Sequence, residues 1–210
     1  MAVRIVTDSS SDLPFSCQED WDITILPLRV NFGEEEFVDG ELTAGQFYEK
    51  LAQAEELPKT TQIAPVEFED VLRPYVEAGD EVLLLPLSRE LSGTFASARI
   101  AREQFPDAEI YVADTLQEGK VCSLNKARGM NAGCQMLLER MEKDGLDETY
   151  PVYFGNSNVH EAMEELRRMA ETRFPVKDAK ACDIGPIVGT HAGPGCVGLA
   201  FVAKTADSAK

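Results

Sequence analysis

The run Glu81-Val82-Leu83-Leu84-Leu85-Pro86-Leu87 constrains this chain more than any other. It is short, apolar from Val82 to Leu85 and closed by a proline, the pattern of a strand buried on both faces rather than on alternate positions. Strands of that kind belong to parallel sheets covered by helices on both sides, so the run calls for parallel neighbours joined by helical crossovers. The N-terminal half offers them. Val3–Val6 is a β-branched run ending in the polar loop Asp8-Ser9-Ser10-Ser11, Ile23–Val30 is a second strand-like run, and Ala108–Val112 is another, closing at Asp114. Thr43 stands as N-cap to a helix over Ala44–Ala52, where Phe47, Tyr48 and Leu51 share one face. A helix from about Val66 to Ala78 carries Phe68, Val71, Leu72 and Tyr75 as its apolar stripe. The segment Leu57–Pro65 reads as a loop between prolines, and Ser88–Phe95 as a polar turn entering an alanine-rich helix that runs to about Gln104. Strand, helix, strand, helix is the order of an α/β layered domain.

Beyond Asp114 the spacing predicts a strand at Glu118–Leu124, a helix at Gly129–Lys143, a strand at Val152–Gly155 and a helix at Glu161–Glu171. Ala181–Gly189 reads as a strand running into a glycine-rich turn, and Gly198–Val202 as a last strand. A boundary near Thr115–Gly119 then separates an N-terminal α/β domain, residues 1–115, from a C-terminal α/β domain, residues 118–210.

Charge removes several functions. Twenty Lys and Arg against 37 Asp and Glu leave a net charge of −17 over 210 residues, the opposite of what phosphate recognition needs. No nucleic-acid partner is expected, nor docking on an anionic membrane through a polybasic patch. No stretch approaches the ~20 apolar residues of a membrane span, and Met1–Asp8 is too short an apolar run, broken by Arg4, for a signal peptide. The five cysteines, 17, 122, 134, 182 and 196, form no Cys-x-x-Cys pair, and with only His160 and His191 to help them a zinc cage is hard to assemble. Scattered and odd in number, they read as reduced thiols of a cytoplasmic protein.

Three constellations can carry chemistry. Ser92-Gly93-Thr94 lies at a strand-to-helix turn, where unpaired N–H groups and the positive end of the helix dipole suit an anion. The alternative is an ordinary N-cap serine. Thr60 and Thr61 offer two adjacent loop hydroxyls to an oxygen-rich ligand head, or simply bond their own backbone. His191, set in Gly189-Thr190-His191-Ala192-Gly193-Pro194-Gly195, can bind a carboxylate or act as a base, or can stitch a permissive loop together. Arg128, before Gly129, is either an anchor for a carboxylate or phosphate or a solvated side chain. Asp8-Ser9-Ser10 stands at a strand end, where α/β sheets bind ligands, although Asp8 reads first as a capping residue.

Taken together these segments resemble the DegV family of bacterial fatty-acid-binding proteins, which includes the binding subunit of fatty acid kinase. The matching pieces are Ile5–Pro14, Pro27-Leu28, Asp39-Gly40, Pro58-Lys59-Thr60-Thr61-Gln62, Leu91-Ser92-Gly93-Thr94, Lys126-Ala127-Arg128-Gly129 and Gly189–Gly195, in the family's order. The resemblance implies two α/β domains enclosing a long-chain fatty acid such as palmitate, with its carboxylate near the interdomain cleft. By position, it assigns carboxylate binding to Thr60, Ser92 and His191, with Thr61, Gly93 and Thr94 beside them, and a phosphoryl or partner contact to Arg128. It implies no cofactor and no metal, and a carrier that presents its ligand to the catalytic subunit of fatty acid kinase rather than an enzyme. The family's Thr-Ser is Thr60-Thr61 in this chain, which keeps the second hydroxyl. Between Asp114 and Lys120 the chain departs further: where the family carries several tens of residues, this chain passes almost directly on, leaving a shortened C-terminal domain.

Two other readings stand beside the carrier. A serine hydrolase would use Ser92 as nucleophile and His191 as base, although Ser92-Gly93-Thr94 lacks the flanking glycines of a nucleophile elbow. A truncated paralogue without lipid binding would fold poorly or serve only as an interaction surface.

Overall fold

The computed structural model describes residues 2–114 and 126–204. The expected strand Glu118–Leu124, the boundary at Thr115–Gly119 and the shortened junction lie wholly or mostly outside them. The described chain divides into two units, residues 2–114 with Gly185–Thr190, and residues 126–184 with 191–204.

The first unit starts with β1 (Val3–Asp8), a single 3-10 turn (Ser9–Ser11), α1 (Cys17–Trp21) and β2 (Ile23–Leu26). Next come β3 (Arg29–Phe32), β4 (Glu35–Val38), α2 (Ala44–Gln53) and β5 (Lys59–Thr61). It continues through α3 (Pro65–Glu77), β6 (Glu81–Leu85), α4 (Thr94–Glu103) and β7 (Ile110–Val112). Strands β2-β1-β6-β7 form a parallel sheet, with the apolar run of β6 at an inner position. Val6, Leu26, Val82, Leu84 and Ile110 of that sheet share one core with Phe68 and Leu72 of α3 and Ala98 and Ala101 of α4.

The strand expected over Ile23–Val30 is two strands. Pro27 has no N–H to give a ladder, and after Leu28 the chain enters β3, the middle strand of a separate antiparallel sheet ordered β4-β3-β5. Thr43 caps α2 as expected, its hydroxyl accepting from the Gln46 N–H at 3.2 Å while the Gln46 side chain takes the Thr43 N–H. Among the described residues the expectation of helices over both sheet faces is met on one face, where both α3 and α4 pack; the short α1 lies beside the edge strand β2, where the Gln18 side chain accepts from the Ile25 N–H.

The second unit consists of α5 (Met130–Asp144), β8 (Val152–Asn156), α6 (His160–Arg173), β9 (Ala179–Asp183) and, beyond α7, β10 (Val197–Ala200). Its sheet is ordered β10-β8-β9, with β8 parallel to β9 and antiparallel to β10. Cys134, Leu138 and Met141 of α5 and Met163, Leu166 and Ala170 of α6 bury Val152 and Phe154. In place of the expected glycine-rich turn, α7 (Pro186–Ala192) is a helix. Proline is suited to a first helical position because its fixed φ is already helical, and burial does the rest: Ile187 is inserted into the core of the first unit.

No helix among the described residues is long and apolar enough to cross a membrane.

Candidate functional site

The end of β1 is held by its own polar groups. Asp8 is buried and caps the 3-10 turn, accepting from the N–H and the hydroxyl of Ser10, while its second oxygen accepts from the Leu87 N–H at 2.5 Å. The strand ends of β1 and β6 are thereby tied together, which is the capping role the sequence suggests. The buried Ser9 hydroxyl oxygen accepts from the Leu28 N–H at 3.0 Å.

Thr60 and Thr61 lie in β5, not in a loop, paired with Val30 and Arg29 of β3. Successive side chains of a strand point to opposite faces, so the two hydroxyls do not stand side by side. Thr61 turns to the side of Asn31, whose amide donates to its hydroxyl oxygen at 2.8 Å. Thr60, half-buried, belongs to the other face.

Ser92, Gly93 and Thr94 form the entrance of α4, as expected, but the cap is Gly93 rather than Ser92. The Ser92 hydroxyl donates to Thr94 Oγ1 at 3.0 Å and its oxygen accepts from the Thr94 N–H at 3.1 Å, with Thr94 fully buried. These bonds lock the turn. Upstream, Arg89 forms an ion pair with the buried carboxylate of Asp114 at 2.6 Å and its guanidinium lies 5.7 Å from the centre of the Phe95 ring.

Gln62 joins the two segments. Its carboxamide oxygen lies 1.8 Å from where a Cβ on Gly93 would be. Gly93 has an ordinary helical φ of −69°, so what a side chain there would have to displace is the far end of exposed Gln62. Nothing in the local pattern marks Gln62 as a site residue beyond its place in Pro58-Lys59-Thr60-Thr61-Gln62.

His191 stands exposed in the last turn of α7. The residues leading to it are fixed in the first unit by two close approaches. Gly185 donates its N–H to Asp12 Oδ1 at 3.0 Å, and a Cβ on Gly189 would meet the Tyr48 hydroxyl at 2.6 Å and the Phe47 ring at 2.9 Å. Asp12 carries no signal in the sequence beyond its place in Ile5–Pro14. It has a left-handed φ of 52°, and burial, reinforced by the like charge of Asp39, pushes its carboxyl up to about 7 against the Gly185 N–H. Burial also raises Asp39, whose carboxylate takes a hydrogen bond from Ser9.

Arg128 is exposed just ahead of Gly129, the positive-φ cap of α5. At the end of β8 in the second unit, buried Asn156 donates to Asp183 Oδ1 at 2.9 Å and accepts from the Val159 N–H at 3.0 Å, while His160 Nδ1 stands 3.7 Å from Asp183. No motif or spacing in the sequence marks that polar cluster. Among the described residues no group of three or more His, Cys, Asp or Glu is arranged to hold a metal ion.

Comparison with known proteins gives a consistent likeness. The sequence model of the DegV family, described as an uncharacterised protein family, matches residues 2–117 and 115–204. A DegV domain-containing protein of Clostridium perfringens is 32% identical over 171 residues, covering 79% of this chain and 60% of that protein. A second from the same organism is 27% identical over 286 residues, covering 97% of this chain and 98% of the relative. A fatty acid-binding protein of Thermotoga maritima is 38% identical over 120 residues, covering 55% of this chain and 41% of that protein. The chain thus spans 60% of the length of the first of these relatives and 98% of the second. Among solved structures, a Streptococcus agalactiae fatty-acid-binding DegV protein superposes with a TM-score of 0.85 at 20% identity, over 98% of this chain and 100% of that one. A Thermotoga maritima protein reported to have a fatty-acid-binding function gives 0.83 at 23%, over 97% and 100%. The B3 protein of Streptococcus pneumoniae fatty acid kinase, loaded with linoleic acid, gives 0.75 at 18%, over 97% and 100%. At these identities the structural likeness is one of fold.

Proposed function

Because the chain belongs to the DegV family, we propose that it is a non-catalytic carrier of a long-chain fatty acid. The carboxylate is held by the Thr60 and Ser92 hydroxyls, the Ser92 proton turning from Thr94 Oγ1 to the ligand, at the Gly93-Thr94 start of α4, with His191 as a further donor. Thr61 serves the site indirectly, by fixing β5 through Asn31. The observation that carries this reading is the contact of Gln62 with Gly93, which brings the β5 segment onto the start of α4. A helix start supplies N–H groups that have no partner within the helix, and a hydroxyl on the neighbouring strand completes a cradle for two carboxylate oxygens.

The loaded carrier presents its ligand to the catalytic subunit of a fatty acid kinase in the cytoplasm, and exposed Arg128 is the residue we assign to that partner or to the phosphoryl group. The relationship to a fatty acid kinase B3 protein supports the assignment. Nothing favours the hydrolase: the Ser92 hydroxyl is bonded to Thr94 and not to a base.

An alignment that runs over 286 residues for a chain of 210, and a family match that breaks at residues 115–117, support a deletion at the junction of the two domains. The consequence is energetic. Each buried acyl methylene is worth ~0.8 kcal/mol, so a sixteen-carbon tail draws on the order of 11 kcal/mol from a complete wall, whereas each head-group hydrogen bond adds only ~1 kcal/mol. Lipid extraction and mass spectrometry of the purified protein test the reading, with a Thr60→Val, Ser92→Ala variant alongside. Stoichiometric fatty acid in the parent, depleted in the variant, is expected. An empty parent with a cooperative melt would leave the truncated-paralogue reading in its place.

A further inference from the structure

The chain entering α7 is tied to Asp12, the residue that closes the 3-10 turn after β1. The Gly185 N–H donates to Asp12 Oδ1 at 3.0 Å, and the same oxygen lies 2.7 Å from where a Cβ on Gly185 would stand. Four residues on, Gly189 packs against Tyr48 and Phe47, and between the two glycines Ile187 enters the core of the first unit. Residues 185–190 are thus held in the first unit by close packing and by one polar contact, and that contact is made by a carboxyl group.

The surroundings of that group are poor for a carboxylate. A second carboxyl, Asp39, acts on it, and among the described residues no cationic side chain acts on either. Their donors are unequally divided. Asp39 takes hydrogen bonds from the Ser9 hydroxyl and the Gly40 N–H, and the Phe15 ring lies against Gly40, whereas Asp12 takes only the Gly185 N–H. The other ionisable groups of these segments are turned elsewhere: Asp8 to Ser10 and Leu87, and Asp183 to Asn156. His191 stands exposed at the far end of α7. When two half-buried acids lack a counter-ion, the proton settles on the one with fewer donors. Asp12 is that one: burial first, and then the charge of Asp39, pushes its carboxyl up to about 7.

We propose that Asp12 is a proton-dependent latch on α7. With its proton on, the Asp12 carboxyl meets the Gly185 N–H in a half-buried place without adding charge there. With the proton off, a carboxylate faces Asp39, and residues 185–190 relieve it by lifting away so that water reaches both acids. The sign follows from linkage. An exposed aspartate titrates at 3.8, so docking of the segment takes up a proton, and the docked population falls as pH rises from about 4 to about 7 and then levels off. The latch stands without the carrier reading; under that reading it also governs how firmly His191, which follows the segment, is held.

Amide hydrogen exchange on the purified full chain at about pH 5 and about pH 8, expressed as protection relative to the intrinsic rate of each amide, tests this without any ligand. Protection of amides 187–190 is expected to be lower than that of α3 and to fall by about tenfold or more from the acid to the alkaline condition. Asp12→Asn keeps an acceptor for the Gly185 N–H and tolerates the left-handed φ of 52°, so it keeps the fold, which protection in α3 verifies, and it loses the pH dependence in α7. Asp39→Asn, which removes the neighbouring charge, reduces the fall. Protection in α7 that is flat with pH overturns the proposal, as does an equal fall in Asp12→Asn or exchange of α7 only together with α3.

Discussion

The carboxamide oxygen of Gln62 occupies the space that a side chain on Gly93 would need, 1.8 Å from the position of its Cβ. The relationship links β5 to the first turn of α4 and makes the glycine a matter of room rather than of backbone conformation. Gly93→Ala should therefore cost little stability, since alanine accepts a φ of −69°, yet it should drive Gln62 aside. Fatty-acid affinity is expected to fall about tenfold, equivalent to ~1.4 kcal/mol, in a titration with a fluorescent fatty-acid analogue. Gln62→Ala added to Gly93→Ala should change affinity no further; an additive loss would show that the two do not act through one contact.

Asp12 gives the stability of the protein a pH dependence of defined sign. Its folded carboxyl titrates at about 7, above the ordinary aspartate value of 3.8, so between about pH 4 and pH 7 the folded state keeps a proton that the unfolded chain has released. Stability consequently falls as pH rises through that window and levels off above it. Asp12→Asn keeps an acceptor for the Gly185 N–H and tolerates the left-handed φ, but removes the charge. Chemical denaturation at pH 4.5 and pH 8 should show the variant gaining about 2 kcal/mol on the parent across the interval, after allowance for partial solvent access. Asp39, also raised, retains a smaller slope.

Gly189 is where α7 presses on α2. A methyl group there would meet the Tyr48 hydroxyl at 2.6 Å and the Phe47 ring at 2.9 Å, and Phe47 is fully buried. Gly189→Ala is expected to destabilise by ~1–3 kcal/mol through overpacking, read as a drop of several degrees in Tm. Combining it with Tyr48→Phe, which clears the hydroxyl, should recover part of the loss. A variant as stable as the parent would count against the packing of α7 described above.

In the second unit Asn156→Ala strands the Val159 N–H at the entry of α6 and frees Asp183 from its donor. A loss of about 1–3 kcal/mol is expected, and hydrogen exchange should locate it in α6 and the end of β8. Protection lost first in α3 or α4 would contradict that assignment.

Elements written in local periodicity are legible in the sequence. The apolar run of β6, the Thr43 cap of α2, the stripe of Phe68, Leu72 and Tyr75 in α3, and the capping Asp8 each lie within a few residues of where the pattern puts them. So does the Ser92-Gly93-Thr94 helix entrance. Three features are not legible. Thr60 and Thr61 are strand residues by pairing with a β3 some 30 residues away, and a three-residue strand has too little pattern of its own to betray itself. The glycine-rich tail forms α7 because Ile187 finds a core made by residues before position 111. Which face of the parallel sheet α3 and α4 cover is invisible in β1, β6 and β7, whose apolar residues read the same on either side.

The sequence by itself thus determined the strands of the parallel sheet, most of the helices and where they begin, and which hydroxyls and glycines are candidates to hold a carboxylate. Periodicity and capping are properties of neighbouring residues, and a single chain displays them. Only the tertiary structure decided that Gln62 meets Gly93, that α7 is held by Asp12 and Tyr48, and that α3 and α4 share one face of the parallel sheet. These depend on which distant segments come together, and that is chosen by the packing of the whole core, to which each residue contributes only a fraction of the free energy.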